Sequence, residues 1–245
     1  MEKELFTTSE ERYHPELNFS DQERAFLTRI LEVLMPGSPY FNIAKQMADW
    51  LNIVPECKIN SSTKEIADQL ADIVLEDDKE LVSFDVVSLY TNVPVNEAIV
   101  VCANLLYDGT LKKPPVDKDT FTKLLNVCSK NVIMSSNDGL FRQIDGLAMG
   151  SPPAPMLANA WMSTFDTTVS NNATLYTRYM DDILRDINKN NIDQKLEELN
   201  SLHPSLSFTV ARETNGTILF LDMKITAWRT DLSHLGIRKT LILVC

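Results

Sequence analysis

The chain contains 245 residues, of which 44% are hydrophobic and 23% charged, and its formal net charge is -11. This composition excludes an intrinsically disordered chain, and no apolar run approaches the roughly 20 residues that span a bilayer. The acidic, polar N-terminus excludes a secretory signal, so we expect an intracellular protein with reduced cysteines and no membrane partner. The acidic excess lies in residues 1–100, which hold 8 basic and 19 acidic residues, so the counts reveal no basic face for a phosphate backbone.

The first part of the chain predicts three helices. Ser20 and Glu23 form a capping-box pattern before an amphipathic stretch, and residues 40–51 have helical spacing of their apolar side chains. A second capping box, from Ser62 to Glu65, opens a third helical pattern that runs to residue 76.

Strands and helices alternate from residue 81 onward. β-Branched and aromatic residues over 81–90 predict a buried strand, and helices are expected at 95–107 and 118–129. The remaining pattern predicts a hairpin, a helix, a hairpin, a helix and a hairpin, at residues 131–144, 156–169, 175–187, 192–202 and 207–225. The tips of the three hairpins are expected at Asn137–Gly139, Asp181–Asp182 and Asn215–Gly216. This order predicts an α+β fold in which helices cover one face of an antiparallel sheet.

Three aspartates stand within these β-like runs. Asp85 lies in the middle of the first strand, where a buried carboxylate is costly unless it is paired, hydrogen-bonded or metal-bound; a strand-end position or a lysine partner is the simpler alternative. Asp181 and Asp182 lie side by side between two β-like runs, where a surface turn is the simpler alternative. If the first strand lies beside this hairpin, three carboxylates converge at one sheet edge, and hard cations such as Mg²⁺ would relieve their repulsion. Two such ions can activate a 3′-hydroxyl and stabilise a pyrophosphate leaving group, which is nucleotidyl transfer.

Four stretches, in this order, resemble successive motifs of the reverse transcriptase palm. They are FDVVSLYTNVP, QIDGLAMGSPPAPMLANAWM, RYMDD and LFLDMKI, within residues 81–225, and GSPYFNIAKQMADWLN extends the likeness back to residue 37. The sequences of these motifs are most similar to those of Penelope-like retroelements, the relatives of telomerase reverse transcriptase. The resemblance implies a reverse-transcriptase-type palm with RNA-directed DNA polymerase activity and two Mg²⁺ or Mn²⁺ ions. Its implied partners are an RNA template, a DNA primer and deoxynucleoside triphosphates, and its implied location is the nucleus; protein partners are left open.

The resemblance also implies roles for individual residues. Asp85, Asp181 and Asp182 would be the catalytic, metal-binding carboxylates, and Tyr90 would block a ribose 2′-hydroxyl, unless it is an ordinary strand aromatic. The second motif would lie against the incoming nucleotide and template through Gln143, Gly146, Gly150, Ser151 and Pro152, for which a plain turn before a helix is the alternative. The last motif would hold the primer end through Phe220, Leu221 and Asp222, for which core packing is an equally good account.

Departures from the family lead to a second hypothesis, a retroelement remnant with no enzymatic role. Residues 1–36 are an atypical acidic, helical segment where the family has basic fingers, so truncated fingers are expected, with residues 37–80 as partial fingers and connecting helices. The palm is expected over residues 81–227, and residues 228–245 are an unmatched tail in place of the thumb. In addition, Pro153–Ala154–Pro155 replaces the Leu-Ser-Pro that is usual in Penelope-like proteins.

Overall fold

A computed structural model describes residues 12–13, 39–57, 66–68, 70, 73–130, 133–136, 139–142, 145–230 and 238–244. The helix predicted after Ser20 and the capping box at Ser62–Glu65 lie outside these residues. The chain divides into two compact units, the first made of Met1–Lys58 and Tyr90–Ser163 and the second of Ile59–Leu89 and Thr164–Cys245. Within the described part, no helix is both long and apolar enough to cross a membrane.

Helices and antiparallel sheets are both present, so the expected mixed α/β architecture with an antiparallel sheet is confirmed. The described helices are α1 (Pro39–Leu51), α2 (Leu89–Asn92), α3 (Val95–Tyr107), α4 (Lys118–Ser129), α5 (Ala154–Ser170) and α6 (Ile192–Asn200). The described strands are β1 (Arg12–Tyr13), β2 (Val74–Leu75), β3 (Lys79–Val86), β4 (Ile133–Ser136), β5 (Gly139–Arg142), β6 (Tyr176–Tyr179), β7 (Asp182–Asn188), β8 (Phe208–Arg212), β9 (Thr217–Phe220), β10 (Met223–Thr230) and β11 (Arg238–Val244). They form three sheets with strand orders β1-β5-β4, β2-β11-β10-β9 and β6-β7-β3-β8.

Helices α1, α3 and α4 pack together in the first unit around Phe121. The ring of Phe121 lies 5.6 Å from that of Tyr107 on α3 and 6.3 Å from that of Trp50 on α1. Helix α4 begins where the Asp117 side chain accepts a 2.9 Å hydrogen bond from the Thr120 amide, which satisfies a donor that the first turn leaves unpaired. The helices predicted at 95–107 and 118–129 are therefore confirmed.

The sheet of the second unit that carries the predicted carboxylates has β7 and β3 at its centre. All side chains of β7 from Ile183 to Ile187 are buried, as expected for a strand covered on both faces. Phe84 of β3 is fully buried, and burying a side chain of this size is worth about 1.5–3 kcal/mol. One hairpin, β6–β7, and two pairings between strands distant in the sequence, β3 with β7 and β3 with β8, hold this sheet together.

Two predicted elements have different boundaries in the structure. The strand expected over 81–90 ends at Val86, and after Ser88, which has a φ of 51°, the chain turns into α2. Tyr90 accordingly lies on a helical turn, so its interpretation as a strand aromatic is wrong. The helix expected through residue 76 gives way to β2, because Val74 and Leu75 pair with β11 instead.

The hairpin predicted over residues 207–225 is wrong in its strand pairing, because its two strands, β8 and β9, pair with other strands. Asn215 and Gly216 do form a tight turn, closed by the pairing of Thr214 with Thr217, but β8 pairs with β3 while β9 pairs with β10. The run expected as one strand breaks at Leu221 and Asp222, whose φ values of 47° and 63° form a two-residue hairpin turn. Because these are not the glycine or asparagine that usually mark such a turn, local sequence did not reveal it.

Candidate active site

The structure brings Asp85 and Asp182 face to face on neighbouring strands. Asp85 of β3 is the direct partner of Asp182 of β7 in the antiparallel register. Directly opposed residues have Cβ atoms about 4.5–5.5 Å apart, within reach of a shared ligand. Asp182 is partly buried, whereas the expectation that Asp85 is buried is wrong: its side chain is exposed, because it stands next to the end of β3, at the rim of the sheet.

Asp181 belongs to the turn that joins β6 to β7. Tyr179 pairs with Asp182, so Met180 and Asp181 form a two-residue turn, and Met180 has a φ of 56°. The Asp181 carbonyl accepts a 3.1 Å hydrogen bond from the amide of Val86, the residue after Asp85. The predicted hairpin is confirmed, but its tip is Met180–Asp181 and not the expected Asp181–Asp182, because Asp182 is the first residue of β7. The Val86 bond joins this tip to the end of β3.

The negative charges of neighbouring carboxylates contribute to raised pKa values at Asp85 and Asp182. The pKa of Asp182 is raised by partial burial and, in decreasing order, by the negative charges of Asp181 and Asp85. Although Asp85 is exposed, neighbouring protein atoms remove some of its solvent, and this desolvation, followed by the charge of Asp181, raises its pKa. The charge of Asp181 therefore makes ionisation of Asp85 and of Asp182 less favourable, and the charge of Asp85 has the same effect on Asp182.

The donor set is chemically suited to hard cations, because carboxylate oxygens are the ligands that Mg²⁺ and Mn²⁺ prefer. A cation would also remove the repulsion that raises the pKa values of Asp85 and Asp182. Within the described residues, however, no three acidic, histidine or cysteine side chains already stand in a metal-holding arrangement. The chemistry of the site fits a divalent ion, and the side chains would have to converge on it.

In the first unit, Tyr90 is attached to the second predicted motif through the backbone. The amide of Leu147 donates a 2.6 Å hydrogen bond to the carbonyl of Tyr90. Gly146 has a φ of 83°, and a Cβ at this position would lie 2.6 Å from the carbonyl oxygen of Thr91. Only glycine allows this close approach of the two segments.

The Asp145 side chain also links the segment around Gly146 to the start of α3. Its Oδ1 accepts hydrogen bonds from the amides of Val95, at 3.2 Å, and Gly146, at 2.9 Å. The first amide belongs to the first turn of α3, whose donors have no partner within the helix. Sequence analysis did not single out Asp145; an aspartate before a glycine, ahead of a helix, is the available signal.

For the other residues predicted for the nucleotide site, the structure gives a backbone position and burial at most. Gln143 lies outside the described residues. Gly150 is exposed with a φ of 94°, Ser151 is buried and Pro152 is partly buried, all three in the turn before α5. Their proposed contact with a nucleotide stays a prediction.

The predicted primer-contacting residues lie at the β9–β10 turn. Phe220 is buried in a cluster with hydrophobic side chains that include Leu81 and Leu184. Leu221 packs against this cluster, and Asp222 is exposed. Core packing accounts for Phe220, while contact of this hairpin with a primer stays a prediction.

Sequence analysis missed an ion pair beside the aspartate turn. Arg178 of β6 is 3% exposed and binds Asp166 of α5 through two hydrogen bonds, Nε to Oδ1 at 2.8 Å and Nη2 to Oδ2 at 2.9 Å. The hydroxyl of Tyr176 donates to the same Oδ1 at 2.5 Å. A single arginine between aromatic residues of a strand was the only signal in the sequence.

Comparison with solved structures shows that the fold is similar to that of telomerase. Telomerase from Candida albicans in complex with a TWJ fragment of telomeric RNA matches with a TM-score of 0.56 and 12% identity, over 86% of this chain and 41% of that chain. Apo telomerase from Candida tropicalis matches with a TM-score of 0.54 and 12% identity, over 86% and 42% of the respective chains. A form of the latter protein truncated from the C-terminal domain matches with a TM-score of 0.53 and 14% identity, over 81% and 45%.

These similarities establish a polymerase-like fold. The chain spans less than half the length of the telomerase chains that it matches. No protein-family model matches the chain, and no curated protein matches it.

Proposed function

We propose that this chain is the palm of an RNA-directed DNA polymerase of the Penelope-like type, acting by nucleotidyl transfer. The observation that carries the proposal is the register that sets Asp85 opposite Asp182, with Asp181 in the adjoining turn. The four palm-like motifs in collinear order and the telomerase-like fold support it.

In this proposal Asp85, Asp181 and Asp182 hold two Mg²⁺ or Mn²⁺ ions. When bound, the ions would lower the pKa of a primer 3′-hydroxyl and stabilise the charge on the leaving pyrophosphate. The chain itself contributes the carboxylates, oriented by the β3–β7 register and by the Val86 bond to the turn. That register would give the ions a common location at the sheet rim.

The remaining roles follow from the resemblance to reverse transcriptases. Tyr90 would exclude a ribose 2′-hydroxyl, and the segment around Gly146 and Gly150 would lie against the incoming deoxynucleotide and template. An RNA template is supported by the similarity to a telomerase that was solved in complex with telomeric RNA. A nuclear location belongs to the same proposal, since the family acts on chromosomal DNA.

Primer extension tests the proposal directly. Purified chain with an RNA template, a DNA primer, deoxynucleotides and Mg²⁺ or Mn²⁺ should extend the primer, and an Asp181→Asn/Asp182→Asn variant should not. Circular dichroism and gel filtration establish that both proteins are folded. Failure of the folded wild-type chain to extend under either metal would reject polymerase activity for these 245 residues.

The second candidate is a retroelement remnant with no enzymatic role. The observation that favours it is the lack, among the described residues, of three acidic side chains already arranged to hold a metal ion. Primer extension separates the candidates, because a remnant would fold and yet extend no primer with either metal.

A further inference from the structure

Both peptide carbonyls of the turn that carries Asp181 are held by groups outside the turn. On one side, the Val86 amide donates to the Asp181 carbonyl at 3.1 Å. On the other, Nη1 of Arg178 donates to the Met180 carbonyl at 3.2 Å. The peptide units on both sides of the Asp181 Cα are thus fixed by hydrogen bonds. This limits the directions in which the Asp181 side chain can point.

The Arg178 guanidinium is itself fixed in place. Its bidentate bond with Asp166 uses Nε and Nη2, which leaves Nη1 directed at the Met180 carbonyl. Asp166 is 29% exposed and is further oriented by the Tyr176 hydroxyl. A planar guanidinium can make all three bonds at once, whereas a lysine ammonium cannot reproduce the fork.

The turn needs such support because its backbone is not relaxed. Met180 has a φ of 56°, a region that is unfavourable for an ordinary side chain and that glycine normally occupies in two-residue turns. The bond from Arg178 to the Met180 carbonyl is made in this conformation, so it stabilises the strained state.

The geometry points to Arg178 as a positioning residue for the Asp181 carboxylate: helix α5, through Asp166 and then Arg178, holds the β6–β7 turn in the conformation from which Asp181 joins Asp85 and Asp182. The role in metal binding rests on the proposed function. The mechanical part, from Asp166 to the turn, rests on the hydrogen bonds themselves and can be measured without any catalysis.

Arg185 supplies a matched control. It is also an almost fully buried arginine of the same hairpin, 2% exposed, but its guanidinium donates to the carbonyls of Val169, Asn171 and Asp186, away from the Met180–Asp181 turn. Arg185→Lys therefore perturbs a buried arginine of the same hairpin and leaves the bond to Met180 in place.

The first measurement is amide hydrogen exchange of Val86 by NMR. In Arg178→Lys we expect the protection of the Val86 amide to fall at least tenfold relative to the rest of β3, because its acceptor on the turn moves. Asp166→Asn should act in the same direction, since Asp166 orients the Arg178 guanidinium, and Arg185→Lys should leave the relative protection unchanged. Unchanged protection of Val86 in both Arg178→Lys and Asp166→Asn, or an equal loss in Arg185→Lys, overturns the positioning role.

The second measurement is Mn²⁺ binding to the folded proteins by electron paramagnetic resonance. We expect Arg178→Lys to weaken binding about 10- to 100-fold, the range for a residue that orients a metal ligand, and Arg185→Lys to leave it unchanged. Wild-type chain that binds no Mn²⁺, with Val86 exchange behaving as expected, rejects the proposed function and keeps the mechanical role. Wild-type chain that binds Mn²⁺ and extends primers, with Arg178→Lys equal to it in every readout, rejects the positioning role and keeps the function.

Discussion

Asp85 and Asp182 are direct partners across β3 and β7, so the folded chain holds two carboxylates against each other at one end of its central strand pair. The pKa of each is raised first by desolvation and then by the charge of neighbouring carboxylates. Without a bound cation, this repulsion should therefore lower the stability of the folded protein, and the loss is measurable.

Asp182→Asn should stabilise the protein at neutral pH. Because the folded-state pKa is raised, the folded protein binds more protons than the unfolded chain at pH values between the ordinary carboxyl pKa and the raised one, and stability falls as pH rises through this window. Above it, both carboxylates are ionised and the repulsion is complete. We expect a gain of up to about 1 kcal/mol in the free energy of unfolding at pH 7, reduced by solvent screening, and a gain that shrinks as the pH is lowered towards 4.

Urea denaturation at several pH values measures this gain. Asp49→Asn is the control, because Asp49 is an exposed residue of α1 in the first unit. A gain in Asp182→Asn that persists at low pH, or an equal gain in the control, would contradict an origin in carboxylate repulsion.

Divalent cations should raise the melting temperature of the wild-type chain. A cation that binds only the folded state stabilises it by about 1.4 kcal/mol at ten times its dissociation constant. The effect should be lost in an Asp85→Asn/Asp182→Asn variant, which keeps the hairpin but removes the two negative charges that face each other across β3 and β7. Differential scanning calorimetry with MgCl₂ against NaCl of equal ionic strength checks this, and equal shifts in both proteins would place the cation elsewhere.

Gly146→Ala should lower the free energy of unfolding by more than backbone strain at residue 146 explains, and it should displace the segment that carries Tyr90 and Thr91. The added methyl would meet the Thr91 carbonyl oxygen at 2.6 Å, whereas a Cβ at Gly150 would have no atom within 4 Å, although both glycines have positive φ. We expect about 1–2 kcal/mol of destabilisation for Gly150→Ala, from strain only, and a larger loss for Gly146→Ala.

Urea denaturation measures the two losses, and incorporation of ribonucleotides against deoxynucleotides reports on Tyr90. If Tyr90 excludes the 2′-hydroxyl, Gly146→Ala should relax sugar discrimination because the segment bonded to the Tyr90 carbonyl must move. Equal stability losses in the two alanine variants would show that the backbone at Thr91 moves away from the added methyl group at little cost.

Asp186→Ala should be among the most destabilising single changes in the second unit. Asp186 is fully buried; its Oδ1 accepts the amides of Thr174 and Leu175, both at 2.6 Å, and its Oδ2 lies 2.9 Å from Nζ of Lys79. Removing the carboxylate leaves these donors without their acceptor, which costs about 3–5 kcal/mol. Urea denaturation should show a smaller loss for Asp186→Asn, which retains one acceptor, and the reverse order would contradict this account.

Sequence periodicity was enough to predict most of the secondary structure and one essential feature of the site. Helix α4 has the predicted bounds, and the hairpin around the aspartate pair forms where β-like runs flank Asp181 and Asp182. These elements follow from local patterns: helical spacing of apolar residues and the capping of Asp117 in one case, and β-branched and aromatic runs in the other.

Tertiary structure decided what local patterns leave open, namely which strands pair and which side chains become buried. The pairing of β8 with β3, rather than with β9, depends on contacts between residues more than 120 positions apart in the sequence, such as Val86 with Phe208. The same is true of the partner of Asp85, which is nearly a hundred residues away, and of the burial of Arg178 against Asp166. The local sequence supplies the three carboxylates, but the placement of Asp85 beside the hairpin that carries Asp181 and Asp182 depends on strand register, and register is set by packing of the whole sheet.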